Sequence, residues 1–126
     1  MAMRWFNKPK PKDIWEEPLV EPIGDIEAAH RIRNICRTAV GSAEKAAVAR
    51  GKGQQDEFAR YERAARAAME ISMKIGDDLL RDSAVRQIID LCLTAEDQRT
   101  ARILFRAIQA TSIREEILRD HPLLGS

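Results

Sequence analysis

The stretch from Asp77 to Leu93, DDLLRDSAVRQIIDLCL, limits what this chain can fold into more than any other. Leu80, Ala84, Ile88 and Leu91 recur at three- and four-residue spacing, and Val85, Ile89 and Cys92 widen the same stripe. Such a pattern predicts a buried central helix with other helices packed around it. Arg81, Asp82, Arg86 and Asp90 fall on the remaining strip, which is expected to face water. Removing each large aliphatic from water contributes roughly 1.5 to 3 kcal/mol, so a charge at Ile88 should cripple the fold.

A chain of 126 residues fits one domain that can bury a core without disulfides or a structural metal. With 21 basic and 20 acidic residues the formal net charge is +1, which argues against a dedicated polyanion binder and leaves only local electrostatic roles. Cys36 and Cys92 both lie on apolar helix faces and form no CxxC, so they read as reduced, buried thiols of a cytoplasmic protein. The opening MAMRWFNKPKPK lacks an apolar core, and no other stretch reaches membrane-spanning length, so neither secretion nor a transmembrane segment is expected.

Residues 1–24 read as a Pro-rich, charge-segregated N-terminal arm. Pro9, Pro11, Pro18 and Pro22 rule out a helix, and Arg4, Lys8, Lys10 and Lys12 precede a run of acids from Asp13 to Glu27. Trp5, Phe6 and Trp15 supply most of the aromatic content, and they are candidate contact residues for a partner. For Trp15, packing with Leu19 and Val20 on the chain's own helices is the plainer alternative.

From residue 25 to 126 the pattern is a single α-helical domain. Asp25 is a good N-cap for a first helix whose inner stripe runs through Ile26, Ala29, Ile32, Ile35, Cys36, Ala39 and Ala43, with Gly41 as a point of bending. Gly51-Lys52-Gly53 breaks the chain. A second helix from about Gln55 to Ile75 places Phe58, Tyr61, Ala65, Ala68 and Ile71 inward, and Gly76 closes it. After the central helix, Asp97 caps a fourth helix reaching about Ala110, with Ala101, Leu104, Phe105 and Ile108 inward and Arg99, Arg102 and Arg106 outward. Ser112 with Glu115 forms a capping box for a short last helix, which His121-Pro122 stops. No alternation suggests a strand. The fold class is therefore all-α: about five helices in antiparallel hairpins, as a helical bundle or short repeat array, behind an extended arm.

A shift of about 33 residues, the period of many helical hairpins, lays Arg66, Ala68, Ile75, Arg81, Arg86 and Leu91 on Arg99, Ala101, Ile108, Arg114, Arg119 and Leu124. On these residues the segments ARAAMEISMKIGDDLLRDSAV and TARILFRAIQATSIREEIL, within about residues 61–120, resemble degenerate tetratricopeptide-like repeats. The resemblance implies stacked helical hairpins and protein binding. The family's Trp, Leu-Gly pair and closing Pro are absent from their places, so its peptide groove is not carried over.

No constellation for catalysis assembles. Glu27 and His30 make one E-x-x-H, whereas a carboxylate-bridged di-iron centre needs a second, so no metal or cofactor is implied and His30 reads as a surface residue. Asp77-Asp78 lacks a calcium-loop context, and the Gly51-Lys52-Gly53 loop lacks P-loop spacing. The reading is a non-enzymatic protein-protein interaction or scaffold module, self-associating or bound to another protein. Trp5, Phe6 and Trp15 are its candidate contacts, and Arg99, Arg102 and Arg106 its charged patch. The alternative is nucleic-acid binding or a regulatory role through two arginine stripes, Arg33 and Arg37 on the first helix and Arg99, Arg102 and Arg106 on the fourth, with a small helical enzyme or metal-binding bundle less favoured.

Overall fold

Gly24 and the residues after it turn the chain into the first of five α-helices in a computed structural model that describes residues 13–49 and 51–126. These are α1 (Asp25–Val48), α2 (Lys52–Ser72), α3 (Asp78–Thr94), α4 (Gln98–Ala107) and α5 (Thr111–Asp120). A final 3₁₀ turn spans Pro122–Gly125, and the described residues contain no strand. No helix among them is long and apolar enough to cross a membrane.

Successive helices run back and forth. At one end of α1, Gln54 at the start of α2 donates from its side chain to the Ala46 carbonyl at 3.3 Å. At the other end the Asp25 carboxylate accepts the backbone N–H groups of Gly76 and Asp77 at 3.0 and 2.9 Å. Thus α2 is antiparallel to α1, and α3 returns parallel to it. The central helix expected from the sequence is α3, which packs against each of the other four helices. Ala84, Val85, Ile88, Ile89, Leu91 and Cys92 are all buried on it, while Leu80 is half-buried.

Small residues set the spacing of the first pair. Ala28, Ala39, Ala43 and Ala64, Ala65, Ala68 are buried on α1 and α2, so the two backbones approach closely. Gly41 does not interrupt α1, which stays helical through Val48. The break at residues 51–53 is narrower than the sequence suggested. Gly51 alone takes the left-handed region, at φ 65°, and Lys52 and Gly53 already belong to α2.

The starts of α1 and α5 differ from expectation, and carboxylates on earlier helices brace the turns that lead into α3 and α5. Gly24, not Asp25, is the N-cap of α1, and the Asp25 side chain is spent on the junction before α3. Ser112 makes no capping box; α5 starts from Ala110, whose N–H and that of Gln109 donate to Asp82 at 2.8 and 3.0 Å. Asp82, expected to face water, is therefore buried at 2% exposure. Two donated N–H groups satisfy its charge there. The cap read from the sequence for α4 is formed, with Asp97 accepting the Thr100 N–H at 3.2 Å, and Asp77 caps α3 in the same way through the Leu80 N–H at 2.8 Å. Asp97 also accepts the Tyr61 hydroxyl at 2.8 Å, which fastens the start of α4 to α2. Gly76 is not a helix cap, because α2 ends at Ser72 and its last turn closes through Met73.

The segment before α1 is bound to the bundle from Asp13 onward. Ile14–Glu16 forms a single 3₁₀ turn, where the prolines had argued against any helix, and Trp15 is buried on it. Asp13 pairs with Arg60 of α2 through two contacts of 2.5 and 3.2 Å, and the Arg60 guanidinium lies 5.6 Å from the Trp15 ring centre. Further on, Arg31 of α1 donates to the Glu17 carbonyl, and Glu21 pairs with Lys74 at 2.6 Å.

Candidate functional site

Two surfaces stand out once the core is assigned. The first lies at the end of the bundle where α1 starts, α2 finishes and α3 starts. Asp25 holds this junction together, and its carboxyl is kept below its ordinary value by the N–H groups of Gly76 and then Asp77. Ile26 directly follows Asp25 and is 71% exposed, where the sequence placed it in the inner stripe. The helix turns it outward because Ala28 and Ala29 take the inward positions. Met73 opens the turn that leads to Gly76, and Leu79 sits on the first turn of α3; they are 78% and 57% exposed. These three aliphatics therefore surround one junction and stay in water. Glu21, Glu27, Asp77 and Asp78 are exposed around them, against Lys74 and the Arg81 that pairs with Asp78 at 3.0 Å. The surface is apolar with an acidic rim.

The second surface is the outer side of α4. Arg99, Arg102 and Arg106 share it, as the sequence indicated, and α4 contains no acidic residue. Ile103 stands among them at 54% exposure. None of the ion pairs formed by the described residues involves Arg99, Arg102 or Arg106. Arg99 and Arg106 are exposed, but Arg102 is half-buried, and its Nε has no hydrogen-bond partner among the described residues.

Beside that face, α4, α5 and the C-terminal turn enclose a concavity of about 280 Å³ lined by Arg102, Arg106, Arg114, Phe105, Leu118 and Leu124 among others. Arg114 carries no signal in the sequence beyond its alignment with Arg81 in the repeat. Its guanidinium lies 4.5 Å from the Phe105 ring centre and donates through Nη1 to the Ile108 and Phe105 carbonyls at 3.0 and 3.3 Å. It thereby closes the C-terminus of α4 and fixes a third positive charge at the cavity wall.

The aromatic contacts expected of the arm divide. Trp5 and Phe6 lie outside the described residues. Trp15 is within them and is 6% exposed, so its ring packs on α1 and α2 and is not offered to a partner. Cys36 and Cys92 are both free and buried, and burial pushes their thiols up to about 12 and about 11. Burial raises the Tyr61 hydroxyl as well, with Cys92 and Asp97 adding to it. Glu27 and His30 are exposed on α1, and among the described residues no three His, Cys, Asp or Glu side chains gather as a metal site would require. No protein-family model, no curated protein and no solved structure matches this chain.

Proposed function

We propose that the chain is a non-enzymatic helical interaction module that associates head to tail with a second copy of itself, its apolar junction end docking on the α4 face of the next. One observation carries this: the exposed aliphatics Ile26, Met73 and Leu79 carry an acidic rim, and the exposed Ile103 is set among arginines. Each surface leaves aliphatic area in water, and their opposite charges favour pairing one with the other over pairing like with like. A contact of this heterologous kind propagates or closes into a ring.

The test is sedimentation of the full chain at rising concentration. The protein should exceed its monomer mass of 14.3 kDa. Ile26→Lys with Leu79→Lys should return it to the monomer with its helix content unchanged. A wild type that stays monomeric throughout the high micromolar range contradicts the proposal.

A second reading, nucleic-acid binding, is favoured by the three α4 arginines, which form no ion pair among the described residues. It requires affinity for an oligonucleotide that falls steeply with added salt and is lost in Arg99→Ala with Arg106→Ala.

A further inference from the structure

The geometry points to a binding site for a small oxyanion carried on an apolar group, in the concavity between α4, α5 and the C-terminal turn. This inference does not rest on the docking reading, because Arg99 and Ile103, which serve that reading, do not line the cavity.

Three arginines line a volume of about 280 Å³, and among the described residues no Asp or Glu lines it. Arg102 and Arg106 are one helical turn apart on α4, so both reach the same space, and Arg114 enters from α5. Like charges so placed repel one another, and a bound anion relieves this. Arg114 is already oriented by the two carbonyls at the end of α4 and by the Phe105 ring, so little ordering is left to bind a ligand. The buried Nε of Arg102 has no partner among the described residues, and an oxyanion is the natural acceptor for a guanidinium N–H. The rest of the wall is Phe105, Leu118, Leu124, Gly125 and Ser126, so apolar side chains stand beside the arginines. Gly125 lets the last turn close against it, since a Cβ there would meet the Leu118 side chain at 2.8 Å. The volume falls at the small end for ligand sites, which suits a phosphate or carboxylate on a single ring or short chain and not a polymer.

The probes are phenyl phosphate, benzoate, inorganic phosphate and phenol, titrated into the full chain at low salt and followed by amide chemical shifts. Phenyl phosphate or benzoate should saturate, shift the amides of α4 and α5, and bind at least about tenfold tighter than inorganic phosphate or phenol. Whichever of the two binds more tightly identifies the oxyanion as phosphate or carboxylate. Arg102→Gln and the exposed Arg106→Gln should each weaken binding about tenfold. Arg119→Gln, exposed on α5 outside the cavity, should leave it unchanged. The inference is overturned if neither aromatic anion saturates, if phenol binds as tightly as they do, or if Arg119→Gln weakens binding as much as Arg102→Gln.

Discussion

The Asp82 carboxylate, buried on α3, accepts the backbone N–H of Ala110 at 2.8 Å and so seats the start of α5. Asp25 makes the equivalent contact one hairpin earlier, where it accepts the N–H groups of Gly76 and Asp77 before α3. Under the repeat shift read from the sequence, Gly76 and Asp77 become Gln109 and Ala110, the two N–H donors to Asp82. The chain thus uses one device twice, a carboxylate on an earlier parallel helix closing each helical junction.

Asp82→Ala should be among the costliest changes in the molecule. It leaves the part-buried Gln109 and Ala110 amides without their acceptor, a loss of about 1 to 3 kcal/mol. Asp82→Asn keeps one carbonyl oxygen and should cost less. Urea denaturation followed by circular dichroism measures both, and an Asp82→Ala midpoint equal to that of the wild type would refute the buried-cap account.

Asp25 should govern part of the acid sensitivity. Its folded-state carboxyl titrates below the ordinary 3.8, so the stabilisation is fully present above the unfolded value and is lost as pH falls through the folded one. Between about pH 7 and about pH 2, wild-type stability should fall more steeply than that of Asp25→Asn. Parallel curves would show that the junction bonds contribute nothing.

Ile88 is fully buried on α3, the helix that touches all the others. Ile88→Ala should destabilise by about 2 to 5 kcal/mol, and Ile88→Asp should leave no cooperative unfolding transition.

Cys36 and Cys92 should react slowly with an alkylating reagent in the native protein, because burial raises both thiols and blocks access. Full labelling should appear only when the protein is unfolded. Rapid native labelling at neutral pH would mean that the α1–α3 packing opens readily.

Periodicity made the helices and the core legible. The stripes of α3 and α4 sit where Ile88, Leu91, Leu104 and Phe105 indicated, because a helix with one apolar side has one way to bury it. The site was harder to read. Asp82 resembles its exposed neighbours in the sequence, and only the arrival of the Gln109–Ala110 turn against it makes burial affordable. Ile26 looks like a core residue until the helix phase is set by Ala28 and Ala29, which leaves it outside. Trp15 reads as core or as anchor, with packing on its own helices the plainer version, and the Asp13–Arg60 pair that folds its segment onto α2 joins residues far apart in the chain. The arginine stripe on α4 was visible, but the cavity needed Arg114 from another helix to complete it.

Mixing two monomeric variants tests the head-to-tail account most directly. Ile26→Lys with Leu79→Lys spoils the junction end and spares α4, while Arg99→Glu with Ile103→Glu does the reverse. Each alone should sediment as a monomer, and an equimolar mixture should form a one-to-one dimer through the single intact pair of surfaces. A mixture that remains monomeric while the wild type associates would contradict it.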